Sequence, residues 1–262
     1  MNFLSCFAVC LLGDVLSPTV FGQVEFDFPD KDVPVLRVDE YYREANKDKR
    51  PTMLLYSDGR VIRPVSDDEK DDYQCTLSPQ KLQSVLKEIF TTQDFSTISE
   101  EKILDEVSTP RRRKRPSSTS FRVTTNTGQG THAVSFGNSW LHDRLGLGRK
   151  RHEGDEHLQR FLDVEEACRE ISHLALVGGE KALQSATEQA QAKFKAVYPD
   201  GPTITDKHLF SVRLNSDGRV AVRFIVPRKI VEPDPVSVWV YRTKGKDELS
   251  VEIKVDVPRA IR

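Results

Sequence analysis

The chain has 262 residues, of which 37% are hydrophobic and 30% are charged. This length suits one large domain or two ordinary ones, and the apolar fraction excludes an intrinsically disordered chain, which buries too little apolar surface to fold. The 39 basic residues nearly balance the 40 acidic ones, so the chain lacks the excess of positive charge by which nucleic-acid-binding proteins displace counterions from phosphates. We therefore expect a folded protein that binds no nucleic acid.

An apolar stretch occupies residues 3–12. It has the length of the hydrophobic region of a signal peptide and is too short to span a bilayer as a helix. Gly22, with Val20 two positions before it, suits a signal peptidase. No Lys or Arg precedes the stretch, which favours the alternative of a buried N-terminal helix. We predict a signal peptide over residues 1–22 and a mature protein that is exported, periplasmic or extracellular, without a membrane span.

Cleavage after Gly22 would leave two cysteines, Cys75 and Cys168. In an oxidising compartment these two residues could form a disulfide. Cys168 also lies on the apolar face of a predicted helix, so a buried free thiol is the alternative.

Residues 23–50 show no sustained periodicity, which predicts an irregular leader before the fold. A β-hairpin is predicted next, because residues 52–56 and 60–65 flank an Asp-Gly pair, whose positive φ angles suit a tight turn. The five residues Ser-Asp-Gly-Arg-Val of this turn recur at 216–220, where we predict a second hairpin tip. Convergence explains the recurrence better than duplication, since Asp-Gly is favoured at such turns on steric grounds alone.

Ser78 and Pro79 predict the start of a helix, because a serine accepts a hydrogen bond from a free amide there and a proline is tolerated at the first helical position. The residues that follow have one apolar face at helical spacing, formed by Leu82, Val85, Leu86 and Ile89. A shorter helix is predicted over residues 99–107.

A run of five basic residues lies between two prolines. It consists of Arg111, Arg112, Arg113, Lys114 and Arg115. Like charges repel one another, so we predict a solvated loop over residues 109–118. This loop is the candidate anion patch, which could bind a polyanion or an acidic cell-wall polymer. It could also be a protease-sensitive site. The alternative is an exposed loop whose charge the acidic residues 67–72 partly offset.

Two strands, 120–125 and 132–136, are predicted around a loop that contains glycine. A helix over residues 158–176 follows, with the apolar stripe Phe161, Val164, Cys168, Ile171 and Ala175, and a Gly-Gly pair stops it. The next predicted helix, 180–198, has one apolar face formed by Leu183, Ala186, Ala190, Phe194 and Val197.

The last third alternates apolar and polar residues as strands do. The apolar positions are Phe210, Val212 and Leu214, then Val220, Val222, Phe224 and Val226, followed by strands over 236–241 and 249–257. A helix followed by a four-stranded antiparallel meander has the cystatin-like or propeptide-like plan, which implies no activity by itself. The predicted class is α+β, with an α+β domain of hairpins and amphipathic helices over 51–177 and a helix-plus-sheet domain over 178–262.

Three stretches carry a family resemblance. They are Tyr-Ser-Asp-Gly-Arg-Val at 56–61; Thr-Leu-Ser-Pro-Gln-Lys-Leu at 76–82 with Gln-Asp-Phe at 93–95; and Gly-Gly at 178–179 with Tyr-Pro-Asp at 198–200 and Leu-Phe-Ser at 209–211. Through them the chain resembles a conserved planctomycete-type family of exported proteins without established function. The resemblance implies no catalytic residues, and the basic loop departs from its pattern.

No reaction motif is present. The chain lacks a Gly-x-Ser-x-Gly elbow, and the histidines of the polar cluster 152–157 are five residues apart, so they do not share a helix face as zinc-protease histidines do. We predict no catalytic residue, cofactor or metal, and a non-catalytic binding or structural module for an unknown protein or cell-envelope polymer. The alternatives are a hydrolase whose site assembles from dispersed residues and an inhibitory or propeptide-like domain.

Overall fold

The structure is a computed structural model. It describes residues 28, 30–42, 50–66, 68–106, 119–137, 155–226, 236–244 and 249–255. The predicted signal peptide and the predicted basic loop lie outside these residues.

The described residues form ten strands and four α-helices, which confirms the α+β class. The strands are β1 (Leu36–Tyr42), β2 (Met53–Leu55), β3 (Arg60–Arg63), β4 (Tyr73–Thr76), β5 (Thr119–Thr127), β6 (Gly130–Gly137), β7 (Leu209–Leu214), β8 (Arg219–Val226), β9 (Val236–Thr243) and β10 (Leu249–Val255). The helices are α1 (Pro79–Lys87), α2 (Glu100–Glu106), α3 (Glu156–Val177) and α4 (Glu180–Val197).

The first sheet has six antiparallel strands in the order β4-β3-β2-β1-β5-β6. Its β2-β3 hairpin is the one that the Asp-Gly pair predicts, and Gly59 adopts a φ of 85° at the turn. The prediction of an irregular segment over 23–50 is wrong for β1, which lies between β2 and β5. Among the side chains of residues 36–40, Leu36 and Val38 are the ones that point into the core, and two apolar positions are too few for a visible alternation.

One face of the first sheet is covered by helices. Ser78 caps α1 as predicted, since its Oγ accepts a hydrogen bond from the backbone N–H of Lys81 at 3.2 Å. The predicted stripe of α3 is confirmed, because all five of its residues are buried. The first core therefore lies between this sheet and helices α1, α2 and α3.

The second sheet has four antiparallel strands in the order β10-β9-β8-β7, the predicted meander. Helix α4 packs on one of its faces through Ala186, Ala190 and Phe194. The prediction for Val197 is wrong, since this side chain is 51% exposed at the last residue of the helix. There the chain turns back, and Gly201 packs against the ring of Phe194, where a Cβ atom would lie 2.5 Å from a ring carbon.

The two cores meet in the last turn of α3. Ala175 belongs to the first core, whereas Leu176 and Val177 belong to the second. Gly178 ends the helix with a φ of 97°, and the guanidinium of Arg242 in β9 donates a hydrogen bond to the carbonyl oxygen of Val177. One helix thus contributes residues to both cores. The boundary between two domains at residue 177 therefore stays a prediction.

Candidate functional site

The second sheet has one face toward the helices and an opposite, outer face. Along β8 the side chains of Val220, Val222 and Phe224 enter the core, so those of Arg219 and Arg223 point to the outer face. The same alternation in β9 places Trp239 and Tyr241 on the outer face. Cationic and aromatic side chains therefore share one surface.

We name this surface the arginine–aromatic face. It is defined by Phe210, Arg213, Arg219, Arg223, Trp239 and Tyr241. Strand register brings its members together, because Arg223 lies directly opposite Trp239 and Ala221 lies opposite both Arg213 and Tyr241. Ala221 has no side chain beyond Cβ, so Arg213 can reach across it from β7 to the ring on β9.

Each arginine of the face lies over a ring. The guanidinium carbons of Arg213 and Arg223 are 4.8 Å and 5.0 Å from the centroid of Trp239, and that of Arg219 is 4.9 Å from the centroid of Tyr241. The two rings are nearly parallel, with 9° between their planes and 6.2 Å between their centroids. Such cation–π contacts contribute about 0.5–1 kcal/mol each at exposed sites, so they favour the positions of the arginines over the rings.

Phe210 reaches the outer face because of a β-bulge. The pairing of β7 with β8 shifts register between Leu209 and Ser211, which interrupts the predicted alternation of Phe210 with Val212. The ring of Phe210 consequently lies 4.9 Å below the guanidinium carbon of Arg223 rather than in the core.

The hydrogen bonds of the arginines differ. Arg223 donates from Nε to Ser237 Oγ at 2.9 Å, and Arg219 donates from Nε to Asp217 at 2.8 Å. The pKa of Asp217 is lowered by the hydrogen bonds that it accepts from the backbone N–H and the side chain of Arg219. Arg213 is exposed and makes no hydrogen bond or ion pair with another residue in the described ranges. At least one guanidinium of the face therefore offers its N–H groups to solvent.

A cleft of about 490 Å³ lies between the two sheets, beside the end of α3. Two of its cations are engaged within the protein, because Arg242 donates to the carbonyl of Val177 and Lys244 donates to the carbonyl of Lys70 at 2.8 Å. Lys244 also lies 5.1 Å from the ring centroid of Tyr73. These contacts join the two sheets across the cleft, and we assign them a structural role.

A second group of charged side chains is buried between the first sheet and α3. Arg169 donates from Nε to the buried carboxylate of Glu165 at 2.8 Å and lies 3.2 Å from Glu40. Arg63 donates to Ser172 Oγ, and burial lowers the pKa of its guanidinium, with a smaller lowering by Arg169 and an opposing effect of Glu40. The group joins a strand face to a helix, and we assign it a structural role.

The two cysteines of the candidate disulfide are both free thiols in the structure. Cys75 lies on β4 and is half-buried, whereas Cys168 is 1% exposed on α3. Burial raises the pKa of both thiols, and the nearby carboxylate of Glu180 adds to the rise for Cys75, whose pKa reaches about 11. Thiols held protonated in this way are poor nucleophiles.

We expect Cys75 to react slowly with a disulfide reagent at pH 8 in the folded protein. With a pKa of about 11, its thiolate fraction at that pH is about one hundredfold lower than that of an unperturbed cysteine. The rate assigned to Cys75, by comparison with the Cys75→Ser variant, should rise about tenfold per pH unit up to pH 10. A rate that levels off by pH 9 would contradict the raised pKa.

The sequence-predicted anion patch Arg111, Arg112, Arg113, Lys114 and Arg115 lies outside the described residues, as do the first three residues of the cluster 152–157. Within the described residues, no three metal-ligating side chains come together. No helix in this part of the chain has the length and apolar character needed to cross a bilayer. The arginine–aromatic face is therefore a second candidate site, and the sequence-predicted anion patch stays a prediction. The sequence carries a signal for the face, since Arg219 and Arg223 alternate with apolar residues and Trp239 and Tyr241 follow on the next strand.

The fold and the face define an α+β protein with two antiparallel sheets, one of which carries arginines on aromatic rings. No family model, curated protein or solved structure matches the chain. The arginine–aromatic face is therefore interpreted from its geometry alone.

Proposed function

We propose that the protein is an exported, non-catalytic binding module that takes anionic ligands on its arginine–aromatic face. The observation that carries this proposal is the stacking of Arg213, Arg219 and Arg223 on aromatic rings. Stacking occupies the flat face of a guanidinium and leaves its N–H edge available. That edge matches the oxygens of a carboxylate, sulfate or phosphate group in a bidentate manner.

Preorganisation supports the same proposal. An arginine that is free in solution loses side-chain entropy when it binds a ligand, by about 0.5–1.5 kcal/mol for each immobilised side chain. The rings under Arg213 and Arg223 hold these side chains before a ligand binds. Less entropy remains to be lost, so weak contacts to an anion can add up to measurable affinity.

The charges around the face favour the approach of an anionic ligand over strands β7 and β8. Glu252 on the edge strand β10 pairs with Lys254 at 2.9 Å and lies opposite Trp239, so this edge carries no net positive charge. On the other side of Trp239, Arg213 is exposed to solvent, and Asp217 on the neighbouring turn pairs with Arg219 rather than with Arg213. We infer that an anionic ligand lies across β7 and β8.

A heparin column tests the proposal. We expect the variant with Arg213→Gln, Arg219→Gln and Arg223→Gln to elute at a markedly lower salt concentration than the unchanged chain, because each lost charge weakens a salt-dependent contact. The matched control carries Arg122→Gln, Lys181→Gln and Lys193→Gln, which remove the same charge at exposed positions elsewhere. Elution of the control should fall much less.

Two results would contradict this assignment. One is equal elution of the two variants, which would show that total charge alone decides retention. The other is a loss of retention only when Arg111, Arg112, Arg113 and Arg115 are changed to Ser, which would move the anion site to the basic loop.

Export is part of the proposal and rests on the apolar stretch 3–12 and on the resemblance to exported proteins. We expect the protein to be recovered outside the cytoplasm with Gln23 as its first residue. N-terminal sequencing of the native protein measures this. A cytoplasmic protein that still begins at Met1 would contradict it.

A further inference from the structure

Strand β10 is an outer edge of the second sheet. It pairs with β9 on one side, and among the strands that the structure describes none pairs with its other side. We infer that β10 pairs antiparallel with β10 of a second copy of this protein, which joins two four-stranded sheets into one. This inference goes beyond the proposed function and does not depend on it.

The backbone of β10 is suited to strand pairing. An edge strand presents a row of backbone N–H and C=O groups that a further strand can bind. Proline and β-bulges interrupt such a row, and β10 has neither, since Leu249–Val255 pairs with β9 in continuous register. The opposite edge strand, β7, is interrupted by the bulge between Leu209 and Ser211. Of the two edges of this sheet, β10 is therefore the one that offers a regular row of backbone groups.

Two charged side chains of β10 indicate what its partner is. Glu252 and Lys254 are 49% and 57% exposed, and their charged atoms lie 2.9 Å apart. A charged side chain usually protects an edge strand from pairing with its own copy, because like charges then meet. Here two opposite charges are two residues apart, so an antiparallel copy can place a Glu252 opposite a Lys254 on both sides of the symmetry axis. The edge is therefore complementary to itself.

One register satisfies these charges. When Ile253 lies opposite Ile253 of the second copy, each Glu252 lies opposite a Lys254, with Cβ atoms about 4.5–5.5 Å apart. Moving the two-fold axis to Glu252 or to Lys254 would place that residue opposite itself and bring like charges together.

The contacts that these side chains already make are compatible with the pairing. Glu252 accepts a hydrogen bond from the hydroxyl of Tyr241 at 3.4 Å and pairs with Lys254 of its own strand. A carboxylate has two acceptor oxygens and an ammonium has three donors, so each can bind a second partner across the interface. The four charges of the dimer then alternate in sign around the axis.

The apolar side of β10 fits the same register. Val251 and Ile253 pack against the second core and are only partly buried. Helix α4 contacts β10 on this side of the sheet. With Ile253 opposite its own copy, both chains lose exposed apolar surface at the symmetry axis. The backbone row, the charges and the apolar side chains thus favour a second copy of this chain as the partner.

Sedimentation velocity of the full chain at increasing concentration measures the association. The interface between two short strands is small, so we expect a weak dimer with a dissociation constant on the order of 10 μM. Glu252→Lys and Lys254→Glu should each raise this constant by about tenfold or more, because like charges then lie opposite each other. The matched control Glu188→Lys makes the same change of charge at an exposed position of α4 and should change it less than about twofold.

Mixing the two charge variants tests the pairing itself. Glu252→Lys gives a β10 with two positive side chains, and Lys254→Glu gives one with two negative side chains. Each variant alone should associate weakly, whereas an equimolar mixture should form a heterodimer at least as stable as the unchanged dimer. Far-UV circular dichroism of each variant verifies that the fold is retained, and association in the mixture shows that both variants keep the edge intact.

Three outcomes would overturn the inference. The first is a chain that stays monomeric up to about 500 μM. The second is a dimer that Glu252→Lys and Lys254→Glu leave unchanged, or weaken no more than Glu188→Lys does, which would place the interface elsewhere. The third is a mixture of the two variants that forms no heterodimer. None of these outcomes affects the proposed binding of anions, which the heparin experiment tests separately.

Discussion

Replacement of Arg169 by methionine is expected to lower the free energy of unfolding by about 3 kcal/mol, because it removes the cation from a buried carboxylate. Glu165 is 3% exposed, and Arg169 approaches its Oε1 at 2.7 Å through Nη2 and at 2.8 Å through Nε. Methionine keeps the length and helix propensity of the side chain but cannot neutralise the charge. Urea unfolding followed by circular dichroism measures the change.

An exposed ion pair provides the control. Arg37 pairs with Asp39 at 2.9 Å, and its side chain is 44% exposed, so Arg37→Met should change stability by less than about 1 kcal/mol. Adding Glu165→Leu to Arg169→Met should restore most of the lost stability, since the buried charge is then gone. Equal effects of Arg169→Met and Arg37→Met would refute the importance of burial.

The second large effect is expected from Phe161→Ala, which should destabilise the protein by about 3–5 kcal/mol. Phe161 is fully buried in α3, and its ring meets those of Phe121 and Phe136 edge-on, with centroids 6.3 Å and 6.4 Å away. Alanine would leave a cavity between the helix and the first sheet. Thermal or urea unfolding measures the loss.

Leu214→Ala is the matched control for this cavity. Leu214 is 37% exposed at the end of β7, so its truncation should change stability by about 0.5 kcal/mol. A similar loss in the free energy of unfolding from both substitutions would mean that the burial of Phe161 does not stabilise the first core.

Local chemistry made much of the fold predictable. Ser78 predicts the start of α1, because helix capping depends only on residues that are close in the sequence. Gly59 and Gly218 predict turns, because these turns need a residue with a positive φ. In both turns an aspartate accepts a hydrogen bond at 3.0 Å from the backbone N–H two residues later. The repeated Ser-Asp-Gly-Arg-Val therefore produces the same local geometry in two different sheets.

Features set by strand register were not predictable. The contact of Arg223 with Trp239 requires β8 and β9 to pair at one particular offset, and the position of Phe210 depends on a bulge. Strand β1 was missed for a similar reason, since it is defined by pairing with β2 and β5 more than by its own pattern. The arginine–aromatic face depends on these register-dependent contacts, so the order of residues along the chain indicates the basic run 111–115 but not this face.

The covered rings of the arginine–aromatic face have a calorimetric consequence. Tyr241 is already 9% exposed in the free protein, with Arg219 over its ring, so little apolar surface is left there to lose water when a ligand arrives. Apolar dehydration is the main source of a negative heat-capacity change on association. For the proposed binding of an anion to this face we therefore expect a small heat-capacity change and a binding enthalpy that varies little with temperature.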